Sequence, residues 1–441
     1  MFYIEKNFKD AIIGKVPRQW TVAAISEIAE KKKGAIKIGP FGSQLKKCDL
    51  SSDGIKVYGQ ENVMSNDFTL GNRYVSIEKF QSLKGFELFP NDVLVTMMGS
   101  VGHSTIFSAD AEKGIMDSHL IRIQSDKAKC LPSFLSMLLS NYNRIQTQIK
   151  SMSQGAIMSG LNSQIIRNLK IPIPSIEEQK GLAKLFTEVD LAFQKTDEVI
   201  AKTERLKKGL MQKLLTRGIG HKEFKETEIG RFPKNWKIQT LTDALGGEKE
   251  AIVAGPFGSN LKVVDYRDAG IPIIRLQNIE RGRFINKDMK YISAEKAEEL
   301  SYHNFVKGDL VLAKLGDPIG KTCIVPDALE KGIVVADVVR IRVPWHLMHK
   351  EYLMYVLNSS PVFNQLSRRI IGSTRPRVNI SQVRDLIIPI PPKSEQEQIA
   401  KVLQTIDKKL QIEKSEKTKL ERIKRGLMDL LLAGKIRIKV D

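Results

Sequence analysis

The chain reads as a mixed α/β protein, α+β in arrangement, with two tandem strand-rich domains each followed by one long helix. Three observations predict this. The sequence repeats itself at a spacing of about 217 residues. Each copy opens with short strand-like runs divided by turn signals. Each closes on a proline-free stretch of about 40 residues with helical apolar spacing.

The repeat is legible segment by segment. IGKVPRQW at 13–20 returns as IGRFPKNW at 229–236, and GPFGSQL at 39–45 as GPFGSNL at 255–261, both at an offset of 216. EKGI at 112–115 recurs at 330–333, IPIP at 171–174 recurs at 388–391, and Gly209-Leu210-Met211 recurs as Gly426-Leu427-Met428. The period is too long for a solenoid, so each copy is a domain with an appendage. The expected partition is 1–175, a helix over 176–217, a second domain over 218–392, a helix over 393–432 and a tail over 433–441.

Within the domains, Ile271–Leu276, Asp309–Leu312 and Val338–Val343 read as strands, each bounded by turn residues. Helices are expected over Pro132–Lys150 and, in the other copy, Tyr352–Leu366. The long helices start after Pro172/Pro174 and Pro389/Pro391/Pro392. Glu177-Glu178 and Glu395/Glu397 suit their positive N-terminal ends.

Apolar residues then recur in a 4-3-4-3 rhythm. Leu182, Phe186, Val189, Phe193, Ile200, Leu206 and Leu210 line one seam, interrupted by Thr196 and Thr203. Ile399, Leu403, Ile406, Leu410, Leu420, Ile423 and Leu427 line the other, interrupted by Glu413 and Lys417. A seam of period 3.5 predicts a coiled coil. Its polar positions either set register or mark a solvated stretch.

Lys and Arg number 70 against 50 Asp and Glu, a net charge of +20. The two helices hold only +4 of it, so the excess lies mainly in the repeated domains, as a polyanion-binding face requires. The three cysteines are widely spaced and are expected to be buried thiols in a reducing cytosol. The first ten residues lack the apolar core of a secretory signal, and no apolar run approaches a membrane span. Both point to a cytoplasmic protein without membrane contact.

Catalytic constellations are missing from the sequence. GDPIGKT at 316–322 has three residues between its glycines where a phosphate-binding loop needs four, so a tight turn is expected, with Gly99/Gly316 and Gly102/Gly320 at positive φ. Pro326-Asp327 and Glu330-Lys331 lack nuclease spacing and read as a surface turn. The six histidines make no HxxxH pair, which leaves metal hydrolysis unsupported. GPFGS has two readings: a rigid turn whose backbone amides approach a phosphate, or a structural turn that anchors Phe41 and Phe257 in a core.

The doubled order IG-x-x-P-x-x-W, GPFGS-x-L, Asn62-Val63/Asn278-Ile279, and PIP-x₂–₅-EQ leading to a helix that ends in Gly-Leu-Met resembles one family, the specificity subunits of type I restriction–modification systems. The resemblance covers nearly the whole chain. It implies two target recognition domains and two helices paired as an antiparallel coiled coil, with pseudo-two-fold symmetry. It further implies a bipartite double-stranded DNA target, two methyltransferase subunits docked on the helices, and restriction subunits in the full complex. The chain itself would be non-catalytic and would bind no cofactor, with S-adenosylmethionine, ATP and Mg on the partner subunits.

Direct reading of bases uses Arg, Lys, Asn, Gln or His side chains near base edges. The candidates are Lys46, Lys47, Arg73, His103 and Gln154 in the first domain. In the second they are Lys262, Arg275, Asn278, Arg281, Arg283, Lys321, Arg375 and Arg377. Arg281-Gly282-Arg283 and Arg375-Pro376-Arg377 lead among them, because two cations flank a conformationally special residue.

Overall fold

The structure, a computed structural model, describes residues 2–98, 101–153, 161–370 and 376–439. It divides into two compact units. The first comprises residues 1–197 and 415–441, the second 198–414. The boundaries therefore fall inside the two long helices, Ile176–Arg217 and Lys393–Leu432, and each helix lends one half to each unit.

The two units are built on one plan. The central sheet of the first runs Ser104–Ile106, Val93–Thr96, Leu120–Ile123, Ile36–Ile38, all antiparallel. In the second unit the order is Thr322–Ile324, Leu310–Ala313, Val338–Ile341, Ile252–Ala254. The inner strands are buried throughout because both faces are covered. Alternate side chains go to opposite sides. Val93, Val95, Ile121 and Ile123 pack on the helical core with Phe134 and Leu138, while Leu94 and Leu120 join Tyr58, Phe68 and Phe107. A smaller sheet flanks each, with one parallel pairing: Gly114–Met116 on Ile55–Tyr58, and Lys331–Val334 on Ile271–Ile274.

The helix expected over 132–150 is broken. Pro132–Asn141 and Asn143–Ser153 are separated by Tyr142, which takes an extended conformation and buries its ring in the core. In the second unit Lys350–Leu357 and Ser360–Arg368 are divided at Asn358-Ser359, and Pro361 sits in the first turn of the second helix, where its missing N–H costs no intrahelical bond. Cys130 and Cys323 are buried as expected, but Cys48 is exposed, on a short 3₁₀ turn. Gly102, Gly316 and Gly320 hold the positive φ expected of them; Gly99 lies outside the described residues.

The sequence signature at the head of each domain explains itself at the start of each long helix. The indole of Trp20 donates to Glu178, and that of Trp236 to Glu395, both at 3.0 Å and both buried. These glutamates are more than complements to a helix dipole. Glu178 also receives the Arg437 guanidinium through two bonds of 3.0 and 2.9 Å, and Glu395 receives the Ile219 amide and the His221 ring. The neighbouring Gln179 and Gln396 accept the amides of Leu131 and His349 at the entrances of the domain helices. Replacing Trp236 by Phe should therefore cost about 2 kcal/mol, the worth of a buried hydrogen bond to a charged group. The expected readout is a lower denaturant midpoint for the second unit.

The coiled coil is antiparallel in each unit. In the first, Asp190 pairs with Lys424 and Asp197 with Lys417. In the second, Glu204 pairs with Lys414 and Lys207 with Asp407, both at 2.5 Å, and Thr203 donates to Glu413 at 3.3 Å. The polar positions of the seam thus hold register within each unit. Three expected seam residues are corrected, among them Leu206, 50% exposed, and Ile423, 64% exposed. Lys207 and Lys424 take their places, and the Lys424 ammonium lies 5.2 Å from the centre of the Phe193 ring. A lysine stem covers apolar surface while its head stays charged, which a count of apolar residues overlooks. Leu420 is exposed as well. The last strand, Ile436–Ile438, pairs with Phe2–Ile4, so the residues expected as a tail belong to the sheet structure of the first unit.

Candidate nucleic-acid interface

At one end of each central sheet the loops converge. In the first unit the Gly39 amide donates to Leu120 (3.0 Å), Met97 to His119 (2.9 Å), Leu161 to Met97 (3.0 Å) and Asp117 to Tyr58 (2.8 Å). The second unit repeats the pattern with Gly255 to Val338 (2.9 Å), Lys314 to Asp337 (3.0 Å), Val378 to Lys314 (2.9 Å) and Val335 to Ile274 (3.1 Å). A single rigid frame therefore carries the GPFGS loop and three other loops in each unit.

The first glycine of GPFGS is required by close approach. A Cβ on Gly39 would lie 1.7 Å from the Asp117 carbonyl oxygen, and one on Gly255 2.1 Å from that of Val335. Beyond this weld the loop turns outward. Phe41 is 61% and Phe257 84% exposed, which overturns the reading of these rings as core anchors. Each loop leads directly to exposed cations, Lys46 and Lys47 in one unit and Lys262 in the other. Flat apolar rings beside lysines suit a nucleic-acid surface, where phosphates meet the charge and bases meet the ring.

Other expected readers are held elsewhere. Arg73 is clamped by Asp117 at 3.0 Å and Glu61 at 2.5 Å, and Lys321 by Glu280 at 2.9 Å. Arg275 is half-buried and donates to the Asp288 carbonyl. Asn278 is fully buried, and its carboxamide accepts the Arg275 amide and donates to Ile285 and Lys287. This corrects its expected role: every polar atom of the side chain is spent on its own loop. Asn62 does the same in the first unit, which explains why the pair recurs.

His103 lines a cleft of about 640 Å³ with Asp190 and Lys424 of the long helices, and Arg281 lines one of about 530 Å³ with Lys207 and Met211. Arg281 also lies over the Phe363 ring at 5.5 Å. Both of these side chains thus line clefts bordered by the helices of their own unit. Arg283 and Arg377 are exposed, Arg283 on a two-residue hairpin turned by Gly282 at φ +70°. Gln154 and Arg375 lie outside the described residues. The sequence reading missed Lys314, Asp337 and His119, which sit on the frame itself. Their signal was position, since each directly follows or precedes a fully buried inner strand. It also missed the buried Arg122 and Arg340, which donate to loop carbonyls and brace the sheet.

Two strand-rich units of one plan, each with an outward aromatic loop and joined through paired helices, define a DNA-recognition protein. The type I restriction modification DNA specificity domain matches residues 17–205 and 260–422, and the chain belongs to that family, whose members are non-catalytic recognition components. The chain is 27% identical over 447 residues to the Type I restriction enzyme MjaVIII specificity subunit of Methanocaldococcus jannaschii, covering 99% of this chain and 98% of that one. It is 20% identical to the EcoKI specificity subunit of Escherichia coli, covering 88% and 82%. Among solved structures, its fold is similar to a chain from a study of complex assembly and conformational transition of the type I R-M system (TM-score 0.57, 16% identity, 95% and 99% covered). It is also similar to the S subunit of a type I system from M. genitalium (TM-score 0.54, 14% identity, 96% and 97% covered). Among the described residues no helix is long and apolar enough to cross a membrane.

Proposed function

We propose that this specificity subunit recognises a bipartite duplex target, one half read by each unit, and aims separate methyltransferase subunits at it. The observation that carries the reading is the doubling of the loop frame, with the same aromatic GPFGS loop and different side chains around it in the two units. Two methyltransferase subunits would dock on the long helices, where Leu206 and Ile423 offer exposed apolar side chains at equivalent positions of the repeat. Restriction subunits would join in the full complex. S-adenosylmethionine, ATP and Mg belong to those partners, and adenine methylation is theirs.

The test is to express the chain with its methyltransferase partner and map methylated bases in the host DNA. A two-part motif with an unread gap is expected, and a continuous motif would defeat the reading. The helices are the ruler in this scheme. Inserting four residues near Thr196, matched by four near Glu413, adds about 6 Å at 1.5 Å per residue. The gap should grow by one or two base pairs while both halves keep their sequences. An unchanged gap in a folded, active variant would remove the helices from that role.

A further inference from the structure

The duplication allows a comparison inside one molecule. Positions that carry the same residue on both frames serve what the two half-sites share, the sugar-phosphate path and the stacked bases. Phe41 and Phe257 are of this kind. Positions that sit on the same backbone bonds but differ in chemistry serve what the half-sites do not share. The sharpest such difference lies at the strand ends. Where the first unit has Met97 bonded through its amide to the carbonyl of His119, the second has Lys314 bonded to Asp337. Met97 and Lys314 each then accept the amide of the returning loop, from Leu161 and Val378 respectively.

The second unit adds Arg377 to this place. Leu315 and Arg377 form a β-bridge, and the Gly316 amide donates to Pro376 at 3.1 Å, so Arg377 is fastened beside Lys314. Lys314 is half-buried, and no carboxylate lies within ion-pair distance of it among the described residues. Burial holds its pKa below the usual lysine value; Asp337 opposes this, and the like charge of Arg377 reinforces it. Two other cations are treated differently: Arg73 in the first unit and Lys321 in the second are each neutralised by close carboxylates. Two cations and one carboxylate on strand ends, preorganised by backbone bonds, form a set of donors and one acceptor awaiting a partner of complementary pattern.

Given the DNA-reading role proposed above, we infer that Lys314 and Arg377 with Asp337 read a G·C base pair in the major groove, and that Met97 with His119 reads a different pair at the equivalent place of the other half-site. Lysine and arginine donate to guanine O6 and N7, and a carboxylate accepts from the cytosine amino group. Methionine offers no donor and suits the thymine methyl group. The half-sites differ in sequence here because the frames are alike and these side chains are not.

The test uses the full chain in complex with its methyltransferase partner and a pool of duplexes randomised over the target, sequencing the bound fraction. Wild type should enrich a two-part motif with a G·C pair in the half read by the second unit. Lys314→Met with Asp337→His installs the residues of the first unit. It should reduce discrimination at that pair roughly tenfold or more, leaving the other half unchanged. Lys314→Gln, the smaller change, should move the preference from guanine towards adenine, and decides the matter if the double variant does not assemble. Uniform weakening across all sequences would make these phosphate contacts and overturn the inference, as would an unchanged motif. A wild-type complex that enriches no two-part motif would instead defeat the proposed function itself.

Discussion

Replacing Arg437 by alanine is expected to lower the unfolding midpoint of the first unit by about 10 °C, from a loss of about 3–5 kcal/mol for breaking a buried ion pair and a shift of about 2–4 °C per kcal/mol in a unit of this size. Arg437 is buried and bonds Glu178 through two nitrogens, Glu5 at 2.8 Å and Gln19 at 2.8 Å. Without it, Glu178 keeps, among the described residues, only the Trp20 indole, and a buried carboxylate is left short of positive charge. Arg437 joins three separate stretches of chain: the first twenty residues, the start of the first long helix, and the last strand. Calorimetry of the whole chain checks it. The second unit, where Glu395 meets Trp236 and His221 instead, serves as the internal standard and should melt unchanged. A first unit that melts at its original temperature would show that the cluster contributes nothing to cohesion.

The largest effect on recognition is expected from exchanging residues 1–175 for the matching domain of a relative. One half of the target should be replaced and the other retained. Each mismatched base pair costs about 1–3 kcal/mol, so three changed pairs should weaken binding to the original site by roughly a hundredfold or more. The graft has to respect one interface. Leu182, Phe186, Met428, Leu431 and Leu432 of the long helices share a core with Ile25, Phe134 and Leu138 of the domain. A donor with matching volume at these positions will fold, and its motif can be mapped by methylation. Alteration of both halves, or of neither, would contradict modular reading.

The long helices were legible because proline marks their starts and the apolar rhythm persists for forty residues. The broken domain helix was not, since nothing in the string 132–150 shows that Tyr142 is drawn into the core. The seam was legible except where lysine replaced leucine. Lys207 and Lys424 lie inward only because Asp407 and Asp190 face them from the other helix, a fact of pairing and not of periodicity. The candidate site divides the same way. Exposed Lys46, Lys47, Lys262 and Arg377 could be picked out by type alone. That Arg73 and Lys321 are neutralised could not, because Asp117 and Glu280 stand 44 and 41 residues away along the chain. Asn278 carried the right chemistry for adenine and the wrong surroundings. Lys314 and Asp337 became visible only when the backbone bonds set them on the same frame as Met97 and His119.

The discontinuity of the first unit has a consequence for how the protein comes into being on the ribosome. The second unit is one unbroken stretch, 198–414, and all of its core partners have been made by the time residue 414 emerges. The first unit must wait. Its core includes Met428, Leu431, Leu432 and Ala433, and the strand that closes against Phe2–Ile4 is Ile436–Ile438. The half of the protein translated first is therefore completed last. Until then it exposes an apolar groove, and a nascent chain stalled short of residue 428 carries a finished second unit beside an unfinished first.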